Sequence, residues 1–96
     1  MKTGIELIAI ERFEQVTKHD RSIESDNDYN YNGQLAQMAE ILLAIEHEEG
    51  IDPESFPDDW DKESCEKMIS KTYKERLIIA GALIAAEIDR LQYQKS

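Results

Sequence analysis

Acidic residues at helical spacing are the first candidates for chemistry in this sequence. Glu11 and Glu14 stand three residues apart, and Glu87 precedes Asp89 by two. Carboxylates at i and i+3 or i+4 share one face of a helix, where they can hold Mg²⁺ against phosphate groups. A spacing of two places Glu87 and Asp89 on different faces. The alternative is structural, because these acids could instead pair with arginines of the same helices, namely Arg12, Arg76 and Arg90.

In general architecture this arrangement resembles the all-α nucleotide pyrophosphohydrolases of the MazG type. Their helices present Glu-Glu-x-x-Glu and Glu-x-x-Asp sets to magnesium. This chain lacks the doubled glutamate and has the wrong spacing after Glu87. The resemblance implies, as an alternative hypothesis, a Mg²⁺-dependent nucleotide hydrolase that uses Glu11, Glu14 and Glu87.

Other site chemistries fit the sequence less well. Asp28 to Leu35 matches the first eight positions of an EF-hand calcium loop, but position 12, which must supply a bidentate carboxylate, is Ala39. Cys65 lies among acids that disfavour a thiolate, and glycine-rich phosphate loops and zinc-binding Cys/His spacings are absent from the sequence. We therefore predict no cofactor, with Mg²⁺ entering only under the hydrolase hypothesis.

Aromatic residues mark two polar segments as candidate binding loops. The segment 19–32 is rich in Asn, Asp and Ser and contains Arg21, Tyr29 and Tyr31, while Trp60 follows two prolines in the second segment. Long loops inside a small domain are often functional, and aromatic rings beside a guanidinium can anchor a partner. The alternative is structural, because the same rings could instead cover the end of a small core.

The net charge of −10 is concentrated in one segment. Residues 46–66 contain ten acids and one base, so this segment carries −9. Such a block repels phosphate backbones and attracts a basic partner or cations, so direct nucleic-acid binding is not expected. A solvated acidic loop is the alternative. The single cysteine, the absence of a signal-peptide pattern and the lack of a long apolar run predict a cytoplasmic protein without a membrane span.

Helical periodicity and capping patterns predict an all-α fold in one domain, residues 1–96. We expect a compact bundle of three long helices plus a short one, with a long polar loop between helices 1 and 2. Capping boxes begin helix 1 at Thr3 and helix 4 at Thr72, and Asn32 is the predicted N-cap of helix 2. The predicted spans are 5–18, 33 to about 48, 61–70 and 72–94. In helix 4 the predicted buried stripe is Leu77, Ala80, Ile84, Ile88 and Leu91.

Four segments carry a second resemblance that covers nearly the whole chain. They are Glu11-Arg12-Phe-Glu-Gln15, Gly33-Gln34-Leu35-Ala36, Trp60, and the closing run from Arg76 through Ala80-Gly81-Ala82-Leu83-Ile84 to Glu87-Ile88-Asp89-Arg90-Leu91. In these segments the chain resembles a group of small helical proteins of phages and prophages. Histidines that relatives often carry in the polar loop are replaced by Asp, Tyr and Asn here. The resemblance implies a phage or mobile-element origin.

The preferred hypothesis is a non-enzymatic binding module of phage type. It would be a small helical homo-oligomer that recognises a host protein or a small anionic ligand in the host cytoplasm. The alternatives are the Mg²⁺-dependent hydrolase and a structural or assembly protein. The candidate binding residues are Glu11, Arg12, Arg21, Tyr29, Tyr31, Trp60, Arg76, Glu87 and Arg90.

Overall fold

The computed structural model describes residues 1–18, 33–44, 55–57 and 60–94, and these residues form four helices. They are α1 (Gly4–Lys18), α2 (Gln34–Leu43), α3 (Lys62–Ile69) and α4 (Tyr73–Gln94). These residues include no strand, and none of their helices is long and apolar enough to cross a membrane. The predicted all-α bundle is confirmed. The predicted loop at 19–32 lies outside the described residues.

Reciprocal capping boxes begin both α1 and α4, as the sequence predicts. The Thr3 hydroxyl accepts a hydrogen bond from the Glu6 backbone N–H (3.2 Å), and the Glu6 carboxylate accepts one from the Thr3 N–H (2.8 Å). Thr72 and Glu75 repeat the pattern at 3.2 and 3.4 Å. Hydrogen bonds from the threonines favour the ionised carboxylates and lower the pKa of both glutamates.

The ends of α2 differ from the prediction. Its N-cap is Gly33, with a positive φ of 79° and no side-chain cap, so the expected Asn32 cap is wrong; Asn32 itself lies outside the described residues. A left-handed residue at this position suits glycine, which lacks a Cβ. The helix stops at Leu43 rather than near residue 48, because Ala44 takes an extended conformation with ψ at 127°.

The short helix α3 forms where the sequence predicts it. Asp61 is its N-cap, and its carboxylate accepts hydrogen bonds from the Ser64 N–H (3.2 Å) and hydroxyl (2.9 Å). Cys65 turns fully inward, while Met68 and Ile69 pack against the core from half-buried positions. A local cap and an inward apolar side are enough to fix eight residues as a helix.

The core lies mainly between α2 and α4. Leu35, Met38 and Leu42 of α2 are completely buried, as is Leu83 of α4. Phe56 and Cys65 close the same cluster, and half-buried residues of α3 and α4 pack around it. Helix α4 contacts all three other helices, so it is the central element of the fold.

The buried face of α4 is not the one predicted. Its buried residues include Arg76, Ala80, Leu83, Ala86 and Arg90, whereas the predicted stripe residues Leu77, Ile84, Ile88 and Leu91 are between 36 and 51% exposed. The two faces are offset by one residue, which is about 100° around the helix. Only Ala80 of the predicted stripe is buried. Because α4 is apolar around most of its circumference, more than one face could be buried, and the face that packs in the core carries Leu83 together with the small residues Ala80 and Ala86.

Helix α1 approaches α4 closely at Gly81. A Cβ added at Gly81 would lie 2.6 Å from Ile8 Cδ1 and 3.0 Å from its Cγ1. Real Cβ atoms essentially never approach another heavy atom to 2.6 Å, so the Ile8 side chain occupies the space that the missing Cβ leaves. This packing explains why a glycine stands inside α4, where glycine costs about 1 kcal/mol relative to alanine.

The Ile8–Gly81 contact predicts a strong coupling between substitutions at these positions. In the Ile8→Ala background, Gly81→Ala should raise the free energy of unfolding by about 1 kcal/mol, which is its helix-propensity gain. In the native background the clash with Ile8 should cancel or reverse that gain. Denaturant unfolding of the four proteins measures this coupling. Equal effects of Gly81→Ala in both backgrounds would show that the two residues do not pack closely.

Candidate functional site

Arg76 caps the end of α2 from within the core. Its side chain is 6% exposed, and its Nη1 donates a hydrogen bond to the Ala44 carbonyl (2.7 Å) and lies 3.5 Å from the Leu42 carbonyl oxygen. Its guanidinium carbon also lies 5.6 Å from the centre of the Tyr73 ring. The last carbonyls of a helix have no partners within the helix, and a cation satisfies them and interacts favourably with the helix dipole. Arg76 thus makes structural contacts.

Two further arginines of the predicted set, Arg12 and Arg90, form ion pairs. Arg90 is 4% exposed and holds both oxygens of Glu87, with Nε–Oε1 at 2.5 Å and Nη2–Oε2 at 3.1 Å. Arg12 of α1 lies 3.6 Å from the Asp89 carboxylate of α4, so this pair joins two helices. Both pairs are on or beside the α4 surface that the neighbouring elements cover. In these contacts Arg12, Arg76 and Arg90 each engage a different group: Asp89, the α2 carbonyls and Glu87.

The acidic residues of the hydrolase hypothesis are divided between two places. Glu11 and Glu14 line a cavity between α1, α3 and α4, which we call the α1–α3 cavity. Glu87 does not line it and is bound to Arg90. Within the described part of the chain no three His, Cys, Asp or Glu residues are grouped closely enough to hold a metal ion. The geometry thus does not assemble the predicted magnesium set from these residues.

The aromatic candidates have different outcomes. Trp60 is half-buried and packs against the core cluster, and its backbone N–H donates to the Pro57 carbonyl (3.2 Å). Trp60 therefore covers the core, which was the alternative to partner binding for its ring. Arg21, Tyr29 and Tyr31 lie outside the described residues, so their proposed binding role stays a prediction.

A row of large apolar residues faces outward along α4. Leu77, Ile84, Ile88 and Leu91 are spaced by seven, four and three, and Gly81 completes a regular 4-3-4-3 pattern between the first two. This is the heptad pattern of positions that pack against another helix. Ile88 is the most exposed of the four, at 51%.

A second outward row lies on α1. It consists of Ile5, Ala9, Phe13 and Val16, and its two most exposed large side chains are Ile5 (82%) and Phe13 (67%). Ile8, one turn from Ile5, contacts Gly81 within the α4 row, so the two rows adjoin. We call the combined surface the outward face: Ile5, Ala9, Phe13, Val16, Leu77, Ile84, Ile88 and Leu91.

The α4 residues of the outward face were predicted from the sequence to be buried. The 4-3-4-3 spacing in α4, next to a separate face of small residues, was the available signal of a second packing surface. Gln15 was not predicted as a site residue, yet it is 4% exposed and lines the α1–α3 cavity. Its sequence position alone gives no sign of this burial.

Comparison with known proteins gives no relative to guide the assignment. No protein-family model matches the chain, and neither the curated proteins nor the solved structures include a significant match. The candidate site therefore rests on its own geometry.

Loss of the Arg76 cap should destabilise the fold. Arg76→Met keeps the aliphatic stem but removes the hydrogen bonds to α2, and hydrogen bonds from a charged donor are worth about 1.5–3 kcal/mol. We expect the free energy of unfolding to fall by about 2 kcal/mol in a denaturant titration at fixed protein concentration. The matched control is Lys74→Met, an exposed position of the same helix, which should change it by less than about 0.5 kcal/mol. Equal losses in both variants would contradict the capping role.

Proposed function

We propose that the protein is a non-enzymatic interaction module whose working form is a homodimer joined through the outward face. One observation carries the proposal: large aliphatic and aromatic side chains on two adjoining helices point away from the only core described, with Ile5 82% and Phe13 67% exposed. Monomeric soluble proteins rarely expose contiguous apolar patches beyond a few hundred Å², and larger ones mark interaction surfaces.

A second copy of the chain fits this surface. Beyond the Gly81 position that Ile8 covers, Ile84, Ile88 and Leu91 continue the heptad spacing, and such a row can pair with its own copy about a twofold axis. Because α1 lies against that row at Gly81, the partner would meet a composite of α1 and α4 and not one long coiled coil. A stable dimer needs roughly 800 Å² from each partner. The large side chains of the outward face are between 36 and 82% exposed, and they would form the apolar centre of such an interface.

The charge distribution also favours pairing through this face. None of its eight residues is charged, and residues 46–66, which carry −9 of the net −10, contribute nothing to it. Pairing through these side chains would therefore leave the acidic segment outside the contact. Asp61, Glu63 and Glu66 of that segment are exposed around α3. A dimer would present two such acidic surfaces, and the partner that they attract is a protein with a basic surface.

The contacts of the polar residues support a binding role over a catalytic one. Arg76 and Arg90 are buried and engaged with α2 carbonyls and with Glu87, and Arg12 pairs with Asp89. Groups held in structural pairs are poor candidates for acid–base or phosphate chemistry. The resemblance to phage and prophage proteins extends the proposal to a host protein as partner and to the host cytoplasm as the place of action.

Mass measurement in solution tests the dimer. Size-exclusion chromatography with light scattering should give twice the 11.1 kDa mass of one chain. Ile88→Glu should raise the dimer dissociation constant at least about tenfold, because each buried isoleucine contributes about 1.5–3 kcal/mol. Phe13→Ser should act in the same direction.

The matched control is Leu43→Glu. Leu43 is 42% exposed on α2, outside the outward face, so its substitution should leave the mass unchanged. A native chain that stays monomeric at high micromolar concentration would refute the proposal. So would dissociation by Leu43→Glu with no effect of Ile88→Glu and Phe13→Ser.

A further inference from the structure

The α1–α3 cavity has the size and polarity of a small-molecule site. Its volume is about 410 Å³, within the range of roughly 300–1,000 Å³ that such sites occupy. Met68, Ile78 and Ile79 provide apolar surface, and polar side chains from α1 and α3 provide the rest. None of its lining residues belongs to the outward face, so this site is independent of the proposed dimer.

Gln15 brings an unsatisfied acceptor to this cavity. Its side chain is 4% exposed, and its Nε2 donates to Glu11 Oε2 at 3.3 Å. This bond assigns the oxygen and nitrogen of the Gln15 amide, because in the flipped orientation Gln15 Oε1 would face Glu11 Oε2. Oε1 then has no hydrogen-bond donor among the described residues and is closed off from solvent, so a turn of the side chain brings it to a ligand in the cavity. Buried polar atoms without partners are uncommon and require an explanation, and an absent ligand group is one.

Two lysines from the α3 side also line the cavity. They are Lys67, near the end of α3, and Lys71, just after it. In the described part of the chain, no carboxylate lies within ion-pair distance of either ammonium group. Glu75, a further lining carboxylate, is engaged by the Thr72 hydroxyl at 2.9 Å, and the charge of Lys71 contributes to lowering its pKa. An anionic group of a ligand would meet two amines here, one of them shared with Glu75.

The two sides of the cavity differ in polarity: α1 presents hydrogen-bond acceptors, and α3 with the residues just after it presents amines. One ligand can satisfy both sides if it carries a positive and a negative group. Glu11, Glu14 and Gln15 Oε1 accept hydrogen bonds, whereas Lys67 and Lys71 donate them. We propose that the α1–α3 cavity binds a small zwitterion with an apolar body, the chemistry shared by a free aliphatic amino acid and a short aliphatic peptide. Its ammonium group bonds Gln15 Oε1 and the α1 carboxylates, and its carboxylate bonds the two lysines.

The apolar surface of the cavity selects the body of the ligand. An aliphatic side chain against Met68, Ile78 and Ile79 is removed from water, which adds affinity without directional requirements. A phosphate-rich ligand fits less well, because Glu11, Glu14 and Glu75 outnumber the two lysines and would repel multiple negative charges. In a zwitterion, the positive group lies beside the α1 carboxylates and the negative group lies beside the two lysines.

Titration calorimetry of the full chain with four probes tests the proposal. The probes are leucine, the dipeptide leucyl-leucine, leucinamide, which lacks the carboxylate, and N-acetyl-leucine, which lacks the ammonium group. At least one of the two zwitterions should bind saturably, and each single-charge analogue should bind at least about tenfold more weakly, since each loses a charge-assisted contact. Tighter binding of leucine assigns the site to a free amino acid, and tighter binding of the dipeptide assigns it to a peptide.

Three variants locate the binding. Gln15→Met removes the unsatisfied acceptor at nearly constant volume, so it should weaken binding of the tighter zwitterion at least about tenfold without lowering the thermal midpoint of the unliganded protein. The double variant Lys67→Gln/Lys71→Gln should weaken binding of the tighter zwitterion similarly. It should also bind leucinamide and the zwitterion with equal affinity, because the contact to the ligand carboxylate is lost. Lys62→Gln, on the same helix but outside the cavity, should bind like the native chain.

Two results would overturn the proposal. The first is no saturable binding of either zwitterion at millimolar concentration, or equal binding of the single-charge analogues. The second is native affinity in Gln15→Met and in the lysine double variant, which would place any binding elsewhere on the protein.

Discussion

The close approach of α1 to α4 at Gly81 determines what the surface of this protein presents. With Ile8 seated where a Cβ would stand, α1 lies against α4 at short range. One side of α1 then borders the α1–α3 cavity and brings Gln15 to it, while the opposite side carries Phe13 outward. A Cβ at position 81 would force the Ile8 side chain to shift. Because α1 borders both the cavity and the outward face, its packing at Gly81 bears on both surfaces.

On its other side, α4 packs against α2 through apolar residues and one buried arginine. Ala80, Leu83 and Ala86 are fully buried, while Arg76 closes the end of α2 by binding its carbonyls. This arrangement leaves Leu77, Ile84, Ile88 and Leu91 of α4 on the outside. A chain of this size buries only about 60–65% of the surface that its unfolded form exposes, so a second copy covering the outward face would add substantially to a small core.

Local features of the fold were predictable from the sequence, whereas the choice of buried face was not. The Thr3 and Thr72 capping boxes involve groups three residues apart, so the pattern itself contains the interaction. The end of α2 depends on Arg76, which reaches Ala44 across 32 positions of sequence. The orientation of α4 depends on which neighbours cover it, and its apolar residues surround most of the helix. For the site, the sequence identified Glu11 but could not show that Glu87 is engaged by Arg90 or that Gln15 is buried.

The central claim is that the outward face is covered by a second copy of the same chain. Isotope-filtered NMR on a mixture of ¹³C-labelled and unlabelled protein tests it most directly, because only contacts between copies give signals. The account predicts intermolecular contacts from the methyl groups of Ile84, Ile88 and Leu91 and from the Phe13 ring. An absence of intermolecular contacts at concentrations where the mass is dimeric, or contacts confined to α2 and α3, would contradict it.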